Sequence, residues 1–284
     1  MQEGICHVLA YFSIFSYPPD FTELHMFLPL TTTKEQLLNE LKRMENDKKI
    51  ISKGNRYTLS GNIKFFDIYE KRSMISTAKR DKMSAYIKSL EKYKGIKAVA
   101  LTGSISMLNA DSDGDVDLFI IAKNKRIWTS RLIALLIAQA YGIRRKYDDK
   151  KFSSSICLNL FFDEEYLEIP DVKKNEYVGH ELLQMKKIHD NDHTFNRLIL
   201  SNQWVFDFFP NAREYIDIAN PSTVRLNRSI LSLMGNCVEL LARYIQLVTI
   251  RRHTTTEKIS DKQLWFFPDD FQKKLEKKIE IVSM

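Results

Sequence analysis

Cysteine is scarce: Cys6, Cys157 and Cys237 are the only three in 284 residues. Scattered this widely they form neither a disulfide framework nor a zinc-ligand pattern, and they read as reduced, buried thiols. Long apolar runs are missing as well. The longest, Leu132 to Ala140, falls far short of the roughly 20 residues that span a bilayer, and no basic stretch leads into a signal-type core at the start of the chain. No membrane association is expected, and a cytoplasmic location follows by default. There is no Gly-x-x-x-x-Gly-Lys loop, nucleophile elbow or Cys/His-rich cluster. His189-Asp-Asn-Asp-His193 places two histidines four apart, but in a polar loop rather than on a helix face, so it does not read as a metal site.

What is present suffices for a core: 44% of the residues are hydrophobic, and the length allows one large unit or two to three small ones. The formal charge of +7 favours a polyanionic partner without separating a nucleotide from a nucleic acid or an acidic protein.

The informative stretch is Leu101-Thr102-Gly103-Ser104, followed after ten residues by Asp115-Val116-Asp117. The run Ile96, Ala98, Val99, Ala100, Leu101 predicts a buried strand, and Gly103 permits a tight turn that other residues resist. The N–H groups of Ser104 and Ile105 would then open a short helix and face phosphate oxygens. From Asp115, alternation along a strand puts Asp115 and Asp117 on one face while Val116, Leu118 and Ile120 bury the other. Two carboxylates aimed at one point repel each other, and a divalent cation that prefers oxygen, Mg²⁺ or Mn²⁺, relieves the repulsion. Asn109-x-Asp111-x-Asp113-Gly114 partly matches a calcium loop, but its twelfth position is Ile120 rather than Glu and an apolar strand follows. Asp111 and Asp113 therefore read as solvated loop carboxylates.

These residues resemble the signature of the nucleotidyltransferase superfamily typified by DNA polymerase beta: Gly-Ser, a spacer of about this length, then Asp-x-Asp on the next strand. The spacer is similar to that of minimal nucleotidyltransferases paired with HEPN toxins. The resemblance implies a third carboxylate on the following strand, here Ile156-Cys-Leu-Asn-Leu-Phe-Phe-Asp163. Alternation puts Cys157, Asn159, Phe161 and Asp163 on one face of it. The mid-strand place of the acid is held by Asn159, whose amide oxygen can ligate Mg²⁺ but cannot act as a base, so either Asp163 substitutes from the strand end or deprotonation falls to metal and water.

The expected fold is α+β, with an N-terminal winged helix, a mixed-sheet nucleotidyltransferase core and a C-terminal helical region. Residues 1–62 read as the winged-helix-like domain: a first helix stopped by Tyr17-Pro18-Pro19, a second over Phe21 to Phe27, and a third capped within Thr31-Thr32-Thr33. Two short strands around Gly54-Asn55 follow. On such a module Lys34, Lys42, Arg43, Lys53 and Arg56 could face DNA, although Glu35, Glu40 and Glu45 dilute the charge and favour a docking role. Residues 63–95 predict one or two connecting helices whose Arg72, Lys79, Arg80 and Lys82 read as a solvated face, reach to a triphosphate being the alternative. The core spans 96–170. Residues 171–284 read as helical, with candidates over Tyr177 to Lys186, His193 to Phe209 and Pro221 to Arg252. The last carries a stripe of Leu226, Ile230, Leu233, Cys237, Leu241, Tyr244 and Val248 that reads as core against the sheet domain or a second subunit. The aromatic tail from Trp265 reads as a staple folded back on the body.

The whole order is similar to that of a set of bacterial nucleotidyltransferase-domain proteins with an N-terminal winged helix. The expected activity is transfer of a nucleoside monophosphate from a triphosphate to a hydroxyl of protein, RNA or a small molecule. Gly103 and Ser104 would hold the triphosphate, Asp115 and Asp117 the metal, and Asn159 or Asp163 would complete the site. The alternative is a nucleotide-binding regulator that signals through the winged helix to DNA or a protein.

Overall fold

The computed structural model describes residues 1–144, 155–216, 232–250 and 258–266 and has a mixed α+β architecture. Three helices open the chain, α1 (Gln2–Ser13), α2 (Phe21–Phe27) and α3 (Lys34–Asn46), followed by a hairpin of β1 (Ile50–Lys53) and β2 (Arg56–Leu59). Capping boxes start α2 (Asp20 with Glu23) and α3 (Thr33 with Gln36), satisfying first-turn amides from within the local sequence. The stretch from 63 to 94, free of Gly and Pro, forms one long helix, α4 (Phe65–Glu91).

The remainder builds a sheet flanked by helices: β3 (Ile96–Thr102), α5 (Gly103–Ser106), β4 (Val116–Ala122), α6 (Ile127–Ala140), β5 (Ile156–Asp163), α7 (Glu176–Gln184), β6 (Lys186–Asp190), α8 (Thr194–Leu200), α9 (Val205–Phe208), α10 (Ser232–Ile250), β7 (Lys258–Ile259) and β8 (Gln263–Trp265). The strand order is β6-β3-β4-β5-β8-β7, with β4 and β5 parallel and the other neighbours antiparallel. The two sheet faces carry separate cores. Ile96, Val99, Leu101, Leu118, Ile120 and Phe161 face α6 and the second half of α4. Ala98, Ala100, Phe119, Ile121, Leu160 and Phe162 belong to a larger core that also contains residues of α1, α2, α3, α7, α8 and α9.

That second core does not divide at residue 62. Asn211, in the 3₁₀ turn Pro210–Glu214, is buried, donates to the carbonyls of His25 and Leu30, and accepts from Thr32 N. The N-terminal helices thus pack with the C-terminal ones as one body over the sheet.

Several expectations change. The polar segment at His189 is an edge strand, β6, against β3, and the expected helix over 193–209 is two short helices. Cys237, Leu241, Tyr244 and Val248 are exposed rather than core; α10 instead turns Ala242 and Gln246 inward, and Gln246 donates to Trp128 O of α6. Leu226, Ile230 and the side chain of Leu233 lie outside the described residues. Trp265 is buried in β8, as a folded-back staple requires, while the tail from 267 lies outside them. Cys6 and Cys157 are half-buried. No described helix is long and apolar enough to cross a membrane.

Candidate active site

β3 and β4 pair antiparallel so that Thr102, the last residue of β3, lies opposite Asp117. Gly103 follows at φ +59°, a conformation L side chains resist, and a Cβ there would stand 3.0 Å from Asp117 Oδ2. Glycine is required twice over at this position, for its backbone and for the room it leaves the carboxylate. The turn and Asp117 open on a cavity of about 260 Å³ lined also by Ser104, Met107 and Asn109, by Tyr11 of α1 and Phe15 just after it, and by Tyr177, Glu181 and Gln184 of α7. The helix α5 is only four residues long, so its dipole is slight; Ser106 Oγ donates to Gly103 O and Asn109 N to Ser104 O, holding the turn closed.

Glu181 is the site residue that reading the sequence missed. Half-buried, it accepts from Gly103 N at 3.3 Å. Burial, reinforced by the charge of Asp117, pushes its carboxyl up to about 7. The same burial, with the charges of Glu181 and Asp117, holds the Tyr177 phenol far above its ordinary range. The only sequence signal for Glu181 is spacing: Tyr177, Glu181 and Gln184 recur at i, i+4 and i+7, and all three line the cavity.

β5 departs from simple alternation. Between Leu118 and Phe119 the register with β4 shifts, pairing Leu118 with Leu158 and Phe119 with Leu160, so Asn159 is an extra residue. Ahead of it Cys157 and Asn159 lie toward Asp117; beyond it Leu160 and Phe162 take that face, and Phe161 points to the opposite core. Asn159 donates its amide to Asp117 Oδ1 at 2.5 Å while Cys157 Sγ donates to Asn159 Oδ1. The amide oxygen expected to ligate a metal is turned away from Asp117. The structure brings Asn159 to the site as an orienting donor.

Asp163 is not brought there. It pairs with Ala122, five residues along β4 from Asp117, and is buried where its Oδ2 accepts from Lys125 N (2.6 Å) and its Oδ1 from Glu165 N (2.9 Å). Lys125 sits at φ 56°, so Asp163 fastens a left-handed turn at the far end of the strand. Burial pushes its carboxyl up to about 6.

Asp115 precedes β4 and lies outside the cavity lining. Its charge is felt by the Lys79 ammonium, together with those of Asp111 and Asp113. Lys79 is buried rather than part of a solvated face and donates to Gly114 O; Arg72 donates to Phe15 O and Asn109 Oδ1, whereas Arg80 and Lys82 are exposed. No Lys or Arg lines the cavity among the described residues. Nor do the described residues hold any group of three or more His, Cys, Asp or Glu able to bind a metal; His189 is hydrogen-bonded to Asn191.

Of the five basic residues weighed for DNA, Arg56 is half-buried within the fold, while Lys34 and Lys53 are exposed and make surface ion pairs. Arg56 lies over the Tyr69 ring at 3.7 Å and donates to Pro18 O and the Tyr69 hydroxyl; Lys53 pairs with Asp67 and Glu70, and Lys34 with Glu214. Lys42 and Arg43 remain exposed on α3.

No protein-family profile matches the chain, and neither does any curated protein or solved structure.

Proposed function

We propose that the chain is a metal-dependent nucleotidyltransferase, transferring a nucleoside monophosphate from a triphosphate to a hydroxyl acceptor. The observation that carries this reading is the fit of Gly103 to Asp117: a left-handed glycine whose missing Cβ admits the carboxylate beside a turn at the mouth of a cavity. The turn at Gly103 and Ser104 would receive the phosphates, through Ser104 because Glu181 holds the Gly103 N–H, and Asp117, with Asp115 from outside the cavity lining, would hold Mg²⁺ or Mn²⁺. The donor set suits that ion, because Mg²⁺ keeps its waters and is ordinarily held by one or two carboxylates together with substrate phosphates. A cavity with two carboxylates and no basic residue among its described lining would admit a triphosphate only with a counter-cation. When bound, the ion would neutralise charge on the α-phosphoryl group and the leaving pyrophosphate. The chain's own residues do the rest: Asn159 orients Asp117, Gly103 spaces the turn from it, and Phe15, Met107 and Tyr177 provide apolar wall.

Incubating the protein with labelled ATP, GTP, CTP and UTP plus Mn²⁺, against candidate protein, RNA and small-molecule acceptors, should yield label transfer that Asp115→Ala/Asp117→Ala abolishes. Tight binding without transfer to any acceptor would reject the enzyme and leave a nucleotide-binding regulator. That second reading is favoured by one observation, the amide at Asn159 where an acid is expected on β5.

For the N-terminal helices and hairpin we propose a winged helix used for docking rather than for reading DNA. The order α1-α2-α3-β1-β2 supports the module, and the packing of Arg56 against Tyr69, with acidic partners on Lys34 and Lys53, supports the docking role. Salt-sensitive duplex binding weakened by Lys42→Ala/Arg43→Ala would argue for DNA instead.

A further inference from the structure

Resting on the transferase reading, we propose that Glu181 is the proton acceptor for the attacking hydroxyl, delivered by α7 in place of the acid that β5 lacks.

Of the described side chains lining the cavity, only Asp117 and Glu181 are carboxylates. Asp117 is committed: Asn159 holds its Oδ1, and its Oδ2 packs against Gly103. Glu181 shares the cavity with Asp117 and is bonded to the Gly103 turn, so an acceptor entering that cavity meets it on the side of α7. Asp163, the alternative acid, is at the far end of the strand with a backbone amide on each oxygen.

Glu181 is also held firmly, as proton transfer in a fixed geometry requires. Gly103 N–H fixes one carboxylate oxygen. The preceding residue, His180, is buried with its ring stacked on Tyr11 (centroids 3.7 Å apart) and on Phe27 (4.1 Å). Gly179 lies against Phe209, where a Cβ would meet the ring at 2.9 Å. The N-terminal helices therefore clamp the helix that carries the base, and α1 with the turn after it supplies Tyr11 and Phe15 to the cavity wall. In the reaction the acceptor O–H gives its proton to a Glu181 carboxylate oxygen and its oxygen forms a bond to the α-phosphorus. The bond from that phosphorus to the bridging oxygen breaks, its electron pair leaving with pyrophosphate. Glu181 then returns the proton to solvent.

The test compares wild type, Glu181→Gln and Glu181→Asp as full chains, each verified by its thermal melt. Label transfer is measured beside the binding of Mn²⁺ and an α,β-methylene triphosphate, followed by Mn²⁺ electron paramagnetic resonance and calorimetry. Glu181→Gln should transfer about 100-fold or more slowly while keeping its affinity within about threefold, and Glu181→Asp should fall between it and wild type. Transfer by Glu181→Gln within about threefold of wild type overturns the role, and so does a loss of Mn²⁺ binding equal to that of Asp117→Asn, which would make Glu181 a ligand. A wild type that binds the metal nucleotide but transfers to nothing rejects the transferase reading and this role together. Wild-type transfer undiminished in Glu181→Gln rejects this role alone.

Discussion

The paired strands β4 and β5 carry carboxylates at both ends, and the two ends are built to opposite purposes. At the far end Asp163 and Glu164 are buried: Lys125 N and Glu165 N each bond one oxygen of Asp163, and Asn124 N bonds Oε1 of Glu164, whose Oε2 has no hydrogen bond but stands 3.6 Å from Arg197. At the near end Asp117 meets an asparagine amide and a glycine, and a second carboxylate, Glu181, faces the same cavity. A carboxylate held by a fixed amide on each oxygen, as Asp163 is, secures a turn. One that shares a cavity with another acid is held in a state a cation would relieve. The same residue type therefore marks structure at one end and a candidate ligand site at the other, and the neighbouring hydrogen bonds tell them apart.

Substituting Asp117 should have the largest effect. Asp117→Ala should lower label transfer on the order of 10³-fold or more while the fold is retained, measured on protein with a wild-type circular dichroism spectrum. Asp163→Ala should do the reverse, lowering unfolding stability by about 2–3 kcal/mol in urea titrations because two backbone amides lose their acceptor, with transfer per folded molecule unchanged. Loss of transfer in folded Asp163→Ala would break the contrast between the ends.

Next in size is a pH effect confined to the near end. Folding raises the Glu181 carboxyl to about 7, so the folded protein favours its protonated form. The stabilisation from that proton is complete below about pH 4, the ordinary glutamate range, and is lost as pH rises through about 7. In metal-free protein with chelator present, Glu181→Gln should therefore be more stable than wild type by about 1–2 kcal/mol at pH 8 and equal to it near pH 4. Equal stability at both pH values would show that the carboxylate is not held against its charge. Smallest is Gly103→Ala, where the left-handed φ costs about 1 kcal/mol. The added Cβ also presses on Asp117, so Mn²⁺–nucleotide affinity should fall further than stability does, compared by calorimetry and denaturation.

Much of the local architecture was legible. The helix over Phe21–Phe27, the Thr33 cap, the hairpin around Gly54-Asn55, the strands beginning at Ile96 and Ile156 and the turn at Gly103 all appear where residue pattern placed them. The failures have physical causes. Asn159 breaks the period of two, so Asp163 does not share the face of Cys157, and alternation counted past a bulge assigns the wrong side. The edge strand β6 is polar because it lies at the rim of the sheet, so hydropathy did not show it. Lys79 and Arg56 read as surface charge because sequence does not record the carbonyl and aromatic partners that bury them.

By itself the sequence determined what depends on residues a few positions apart: caps, turns, strand runs, and the tight turn at Gly103. Only the tertiary structure decided what depends on distant packing. It brought Glu181 from α7 to the Gly103 amide 78 residues away, fused the N-terminal helices with the C-terminal ones over one sheet face, and separated Asp163 from Asp117. The division is physical: local hydrogen bonding and sterics are encoded in short windows, whereas burial and the convergence of charges arise only when remote segments compete for the same core.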